Sequence, residues 1–491
     1  MTAAASTLPS PLQRSRGISL RRGLVLMGFS VLIPGIAQAV AGNRRLGRLA
    51  VRVWLITIAI IVVVGLLALP FRNAVIAVYA NPITLTVLQF AVLAYGIAWS
   101  LLLLDAWRIA DPRAMSRVGA VVSGLLALVL AVTGTGVAWA TSDILAAQRS
   151  LFGDVFGGGG SAQTVNGRYN VLLLGGDAGK GREGLRPDSM TVASIDAETG
   201  RTVLFSLPRN LQRAPFPVDS PLHKLYPNGY YCPEKPLAER CMLNGIYTVA
   251  QQNKKLFPGV KYPGVEATKS SIEEILGLKI NYWAMIDLKG FEKLIDAVGG
   301  ITLDIGKKVP IGSLHSPKGV YDWIPAGKNQ HLDGFQALWF ARSREYSNDY
   351  ERMIRQKCVM NAMLKQLDPT TVVTKFQKLA DAGKQIVATN LPADQIGPMM
   401  DLAMKAKTLP MASVSFTPPT LKAASGDYPT VNPDFADILA VVTASIAASE
   451  AKDDPAAQPT ASSSSTATKK PSKKKSTSTT TDNLDSICKV S

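Results

Sequence analysis

Residues 170–210, NVLLLGGDAGKGREGLRPDSMTVASIDAETGRTVLFSLPRN, decide the fold. Three short apolar runs in this stretch, Asn170–Leu174, Met190–Ile195 and Val203–Leu207, are β-branched or leucine-rich and bounded by Gly, Pro or Asp. Such runs read as strands. Thr199-Gly200 is a turn between the second and third, so these two are expected to pair as a hairpin. Charge sits at the strand ends: Asp177 after the first run, Arg186 and Asp188 before the second, Arg209 after the third. In a hairpin Asp188 and Arg209 fall at one end, and two carboxylates converge with two guanidiniums. Paired carboxylates suit a hard divalent cation. Arginine forks suit phosphate. The bland alternative is solvated loop charge.

A second charged stretch is Phe340–Gln356, FARSREYSNDYERMIRQ. Asp333 and Gln336 cap a short helix ending near Phe340. Arg342 and Arg344 are two apart, so in extended chain they point the same way. Asp349, Arg352, Arg355 and Gln356 fall close to one face of a helix. Met353, Val359 and Met360 on that helix imply partial burial, and an arginine near a core is costly without an anion. A phosphate or pyrophosphate would be such an anion; salt-bridged surface is the alternative.

Between these stretches, Gln212–Glu239 is Pro-rich and aromatic and reads as a long surface loop, suited to a lid or an acceptor-binding region. Asn244–Lys254 reads as a helix. Ser270 and Glu273 read as a capping box that opens a helix to Leu276. Tyr282–Ile286 is a strand, Asp287 caps a helix to Ala297 that Gly299-Gly300 stops, and Ile301–Ile305 is another strand. Farther on, Val372–Thr389 and Ala393–Ala406 read as helices, Met411–Phe416 as a last strand and Phe435–Ser449 as a helix. Helices alternating with strands after an opening sheet give an α/β or α+β sandwich.

The first 141 residues differ in kind. Val53–Leu69, Ile83–Leu104 and Val118–Ala140 are each near the roughly 20 apolar residues needed to span a bilayer. Leu24–Ala41 is apolar but broken by Pro34-Gly35 and carries Gln38. Arginines flank it on both sides (14, 16, 21, 22 and 44, 45, 48, 52). The positive-inside rule then keeps both flanks cytoplasmic, makes 24–41 re-entrant or interfacial, makes the three later segments transmembrane, and puts everything after 141 outside. Four full spans are the alternative. The formal net charge of +17 is uneven: residues 1–117 hold 12 Arg and 2 Asp. It reports loops beside a bilayer, not a nucleic-acid partner.

The expected organisation is therefore a cytoplasmic 1–22, a membrane segment 23–141, a linker 142–166 around FGGGGSAQ, an outer domain 167–449 and a disordered Ser/Thr/Lys-rich tail 450–491 ending in a Cys. All four cysteines follow the last span. In an oxidising compartment they suggest two disulfides, Cys232–Cys241 closing a short loop and Cys358–Cys488 pinning the chain end. Four free thiols are the alternative.

Taken in order and spacing, NVLLLGGD, RPDSMTVASID, SLPRN, LIDAVGGITLDI, AGKNQHLDGFQALWFARSR and DYERMIRQ resemble the LytR–CpsA–Psr family over roughly residues 168–368. The cysteines and multi-span N-terminus look like actinobacterial members. The resemblance implies an α-β-α sandwich with an apolar pocket for an isoprenoid tail, on the extracytoplasmic face of the membrane. It implies a phosphotransferase that moves a glycopolymer from a polyprenyl-pyrophosphate carrier onto peptidoglycan with Mg²⁺ (or Mn²⁺). Its metal-binding acids map to Asp177 and Asp188. Its pyrophosphate-binding arginines map to Arg186, Arg209, Arg342 and Arg344, and its helix motif to Asp349, Arg352, Arg355 and Gln356. Arg209, Asp188, Arg342 and Asp349 are the catalytic candidates, with Asp188 or Asp349 as general base. Two departures stand out: Asn210 replaces the Asp that often follows the Pro-Arg pair, and the Cys232–Cys241 insert interrupts the segment in which Asn244 aligns with the family's Asn. The rival functions are a non-catalytic binder of lipid or wall polymer, a membrane-tethered transcriptional regulator and a polyprenyl-pyrophosphate hydrolase.

Overall fold

The computed structural model describes residues 11–71, 74–75, 78–79, 81–155, 162–176, 186–236, 241–314, 316–366, 387–424, 428–451, 482–484 and 488. Two compact units divide the chain, at Gly153/Asp154.

The first unit is helical: α1 (Pro11–Leu32), α2 (Ile36–Ala41), α3 (Arg44–Leu67), α4 (Pro82–Ile109) and α5 (Arg117–Val155). The apolar segment 24–41 is interrupted at Pro34-Gly35, as its sequence predicts. Gly35 turns the chain with φ 87°, and at Gly47 a Cβ would lie 2.2 Å from the Ala39 amide nitrogen, so α2 and α3 touch backbone to backbone. Gln38 is buried and donates through Nε2 to the Leu102 carbonyl (2.9 Å) and Asp105 Oδ2 (3.0 Å). Among the described helices, α3, α4 and the Arg117–Arg149 stretch of α5 are long and apolar enough to cross a membrane. α5 continues to Val155, into the expected linker, because SDILAAQRSL is built of helix-favouring residues. The FGGGGSAQ core of that linker lies largely outside the described residues.

The second unit is built on a seven-stranded mixed sheet. Its opening strands are β1 (Arg168–Gly176), β2 (Pro187–Asp196) and β3 (Thr202–Leu207), paired antiparallel in sequence. The β2–β3 turn is held by Asp196 Oδ1, which accepts from the Thr199 amide (2.8 Å) and hydroxyl (2.9 Å). Gly200 sits there at φ 80°, where a Cβ would meet the Ala406 amide at 2.7 Å. Helices α6 (Ile246–Gln252) and α7 (Pro263–Leu276) lead to β4 (Tyr282–Asp287), which pairs parallel to β1. Then come α8 (Leu288–Val298), β5 (Ile301–Ile305), β6 (Val309–Gly312), β7 (Val320–Ile324), β8 (Gly327–Leu332), α9 (Gly334–Arg342) and α10 (Asp349–Gln366). The chain closes with β9 (Val387–Thr389), α11 (Ile396–Lys407), β10 (Ala412–Ser415), α12 (Phe435–Glu450) and β11 (Asp482–Asn483). The sheet order is β11-β10-β3-β2-β1-β4-β9, with β5-β8 and β6-β7 as separate ribbons.

Alternation along the strands loads both sheet faces. Leu172, Leu174, Met190, Val192 and Phe205 pack against Ile246, Ile272, Ile275, Ile438 and Val442 of α6, α7 and α12. On the other side α8, α9 and α10 join β5–β8 around Ile295, Ile301, Leu303, Ile324, Phe340 and Val359. The result is the expected α-β-α sandwich.

Several local expectations need correction. Ser270 does not open a helix: it is mid-helix in α7, and its hydroxyl donates to the Ala267 carbonyl. Pro263 at the first turn starts that helix instead. Glu273 accepts from the Ile280 amide (2.7 Å) beyond its C-terminus. Val387–Thr389 is a strand on the β4 edge, where pairing overrides local propensity; 372–386 lie outside the described residues. β6–β8 are unpredicted. Met411–Phe416 does hold a strand, β10, but not the last. Within the expected tail, Asp482–Asn483 pair with β10, and Leu484 is buried among Ala193, Leu204 and Met411.

Both disulfides form, Cys232–Cys241 and Cys358–Cys488, with Cα atoms 5.2 and 5.4 Å apart. The second ties the chain end to α10 across 130 residues of sequence. Cross-linking so long a loop restricts the unfolded chain, so Cys358→Ser with Cys488→Ser is expected to remove about 2–4 kcal/mol. Thermal unfolding under non-reducing conditions reads this loss; an unchanged midpoint would contradict it.

Candidate functional site

The register of β1 and β4 sets one wall of a cavity. Leu173 lies beside Ala284 and Gly175 beside Ile286, all on the face opposite the α6/α7 core. Phe291 and Leu294 of α8, Leu338 of α9 and Val359, Met360 and Met363 of α10 complete it. The cavity volume is about 440 Å³, within the range of small-molecule sites, and its walls are mostly apolar. Its polar lining includes Asp188, Asp287, Arg209, Arg342, Arg344, Arg352 and Gln356.

The hairpin forms as expected and brings together one acid and one arginine of the expected four. Asp188 lies in the first residues of β2 and Arg209 two residues past β3, so antiparallel pairing brings them together. Arg209 Nη1 donates to Asp188 Oδ1 at 2.7 Å. Asn244 Nδ2 reaches the same oxygen at 3.5 Å, and its amide donates to the Arg209 carbonyl. Helix α10 supplies the rest. Asp349 Oδ1 faces Arg352 Nη2 (3.1 Å), Arg209 Nε (3.6 Å) and Arg344 Nη1 (3.9 Å). Arg352 also donates to the Asp188 carbonyl at 3.2 Å. The two charged stretches therefore form one network.

Electrostatics follow from this geometry. Burial pushes the Asp188 carboxyl pKa up, but the charge and hydrogen bond of Arg209, with Arg352 and Arg344 behind it, outweigh burial and hold it below the usual carboxylate range. Arg352 is only 3% exposed, and burial lowers its pKa, as do Arg209 and Arg344, against the pull of Asp349 and Asp188. Its Nε is buried without an acceptor among the described residues, and Asn210 Oδ1 is buried without a donor. Asp287, the cap of α8, lines the cavity, and burial raises its carboxyl pKa.

Other candidates fall elsewhere. Arg342 is in the last turn of α9, not in extended chain, yet reaches the lining with its guanidinium 5.0 Å from the Trp339 ring. Arg186 is exposed, and its charge acts on Tyr230 of the Pro-rich loop. Asp177 lies outside the described residues. Arg355 sits on the flank of α10 and turns away from the lining: Nε donates to the Phe340 carbonyl (2.8 Å), Nη2 to the Ser343 carbonyl and to Ser347 Oγ (3.3 Å). It fastens the end of α9 and the loop that presents Arg344. Hydrogen bonds to a charged group are worth about 1.5–3 kcal/mol, so Arg355→Ala is expected to destabilise by that order. A thermal shift near zero would contradict this.

Sequence reasoning missed the apolar lining on β4 and α8. Both elements were legible; the faces of Ala284, Ile286, Phe291 and Leu294 carried no chemical mark.

The LytR_cpsA_psr family model matches residues 154–428, more than half of the chain. The chain belongs to that family. Two curated LytR_cpsA_psr relatives are similar over its core. One is the polyisoprenyl-teichoic acid–peptidoglycan teichoic acid transferase TagU of Bacillus mycoides, 26% identical over 229 residues, which cover 46% of this chain and 62% of TagU. The other is TagV of Bacillus subtilis, a transferase of the same description, 25% identical over 228 residues, covering 45% of this chain and 50% of TagV. The chain thus spans less than two thirds of either relative's length. The crystal structure of B. subtilis TagV aligns with a TM-score of 0.40 and 22% identity, over 57% of this chain and 96% of that one.

Proposed function

We propose that this LytR_cpsA_psr protein is a membrane-anchored phosphotransferase that moves a glycopolymer from a polyprenyl-pyrophosphate carrier onto peptidoglycan, on the extracytoplasmic side. One observation carries the reading. Three guanidiniums and two carboxylates form one network, and its Asp188, Arg209, Arg344 and Arg352, with Arg342, line a largely apolar cavity. Guanidiniums that outnumber the carboxylates fit a pyrophosphate diester, and the apolar walls fit a hydrocarbon chain. The relatives' described activity is consistent with it.

The reading gives a divalent cation a place at Asp188, the one of its two expected ligands that lies among the described residues. Among the described residues, Asp188 accepts both side-chain hydrogen bonds at Oδ1 and its carboxyl pKa is held low, and Mg²⁺ commonly takes one or two carboxylates together with substrate phosphate. Asp188 and Asp177 would hold it, and when bound it would supply Lewis-acid charge at the phosphate oxygens. The chain's own groups do the rest. The cavity holds the polyprenyl chain and keeps water from it. Arg209, Arg344 and Arg352 orient the pyrophosphate and stabilise charge on the leaving polyprenyl phosphate. An acceptor hydroxyl bonds to the phosphorus bearing the glycan, and its proton ends on the leaving polyprenyl phosphate. The bond from that phosphorus to the bridging oxygen breaks. The products are a phosphodiester-linked glycan and polyprenyl phosphate.

The test is transfer by the full-length protein in detergent, with labelled polyprenyl-pyrophosphoryl oligosaccharide, a peptidoglycan oligomer and Mg²⁺ present or chelated. Label in the acceptor with stoichiometric polyprenyl phosphate is expected. Binding without either product would leave a binding protein, and phosphate release without acceptor labelling a hydrolase.

A further inference from the structure

Two residues past Arg344 the chain enters an aromatic ledge that lies outside the cavity lining. On β7, Tyr321 and Trp323 are two apart, 53% and 37% exposed. Tyr346, in the loop after α9, is 71% exposed. Its ring stacks on Trp323 with centroids 5.7 Å apart and planes at 26°. Lys308 Nζ stands 4.4 Å from the Trp323 centroid. Rings this exposed contribute little to a core.

The loop is built to hold them. Ser313 Oγ donates to Glu345 Oε1 at 2.7 Å, latching the loop to the β6–β7 ribbon, and Arg355 binds Ser347 from the other side. Between these two fastenings Tyr346 has φ 56°. That left-handed backbone is a genuine outlier for a bulky residue and costs about 1–3 kcal/mol. A strained backbone, fastened on both sides, that presents an exposed ring is a feature of a binding surface.

We propose that the Trp323–Tyr346 ledge seats the acceptor glycan strand, the apolar C–H face of a pyranose lying on the rings. This rests on the phosphotransferase reading. Aromatic faces with polar edges suit a ligand that is apolar on one face and hydroxylated at its rim. Lys308 stands over the Trp323 ring and suits those hydroxyls. Position selects the acceptor. The leaving polyprenyl phosphate is held by the cavity, so the attacking hydroxyl arrives from solvent. Arg344, at 51% side-chain exposure against 23% for Arg209 and 3% for Arg352, marks that side, and the ledge begins two residues beyond it.

The test is calorimetric titration of the full-length protein in detergent with a soluble, uncrosslinked peptidoglycan glycan oligomer, and separately with the polyprenyl-pyrophosphoryl donor. Tyr346→Asn removes the ring while tolerating the left-handed backbone. Tyr346→Asn and Trp323→Ala are each expected to weaken the glycan oligomer about tenfold, the factor that 1.4 kcal/mol represents. Tyr346→Phe should bind it like wild type, and donor affinity should be unchanged throughout. Wild-type glycan affinity in both variants, or no glycan binding by the wild type, would overturn the proposal. Weakened donor with unchanged glycan oligomer would also overturn it and give the ledge to the donor's sugars. If the wild type binds both partners and transfers nothing, the phosphotransferase reading fails while the ledge stands.

Discussion

Arg209→Ala is expected to lower the transfer rate about 10²–10³-fold, the cost of losing one preorganised charge-stabilising donor. Arg209 is the residue on which the network closes. Its Nη1 binds Asp188 at 2.7 Å and its Nε faces Asp349 at 3.6 Å, so one planar fork aligns both acids. Two effects add. A positive charge leaves the leaving-group side of the reaction. The Asp188 carboxyl also loses its largest lowering influence, so its pKa rises from its wild-type position. The acid limb of the rate profile should therefore move to higher pH, because a protonated Asp188 neither holds a cation nor pairs with arginine. Arg209→Lys should rescue little, since one ammonium does not reproduce a fork that reaches two acids. Steady-state transfer with labelled donor, repeated across pH, reads both effects. A rate within fivefold of wild type would remove Arg209 from the chemistry.

The second large effect concerns stability, and it separates a ligand site from ordinary surface pairing. Asp349 stands among Arg352, Arg209 and Arg344, at 3.1, 3.6 and 3.9 Å. Truncating a partner of a buried pair costs about 3–5 kcal/mol. Asp349 itself is 23% exposed, so screening reduces this, and Asp349→Ala is expected to destabilise by about 2–3 kcal/mol. An exposed pair would cost no more than about 1 kcal/mol. Asp349→Leu combined with Arg352→Met should recover most of the stability, because well-packed apolar groups commonly replace a buried ion pair without loss. That double variant should still fail to bind the polyprenyl-pyrophosphate donor. Thermal unfolding and donor titration on the same samples give both readings. Full recovery of donor binding along with stability would mean the network is scaffolding.

The sequence carried the sandwich and much of the site because both depend on local marks. Alternation between Asn170 and Leu207, with the Asp196–Gly200 turn, sets a hairpin register, and that register alone brings Asp188 to Arg209. Asp333 with Gln336 and Asp287 with Gly299 mark helix ends by side-chain and backbone chemistry that acts within a few residues. What failed depended on distant partners. Val387–Thr389 is a strand because the β4 edge is there to receive it. Asp482–Leu484 are ordered because β10 pairs with them and an apolar site takes Leu484. Arg355 shares a helix with Arg352 and Gln356, but its position on the flank and the open carbonyls of α9 decide where it points. The ledge was invisible for the same reason: Trp323 and Tyr346 meet only once β7 and the loop after α9 are placed.

The most direct test of the account is an experimental structure of the full-length protein with bound polyprenyl-pyrophosphoryl disaccharide. The account predicts the hydrocarbon chain between the β1–β4 face and α8–α10, and pyrophosphate oxygens within hydrogen-bond distance of Arg209, Arg344 and Arg352. A donor bound elsewhere, or a pyrophosphate that leaves the Asp188–Arg209–Asp349 network untouched, would contradict it.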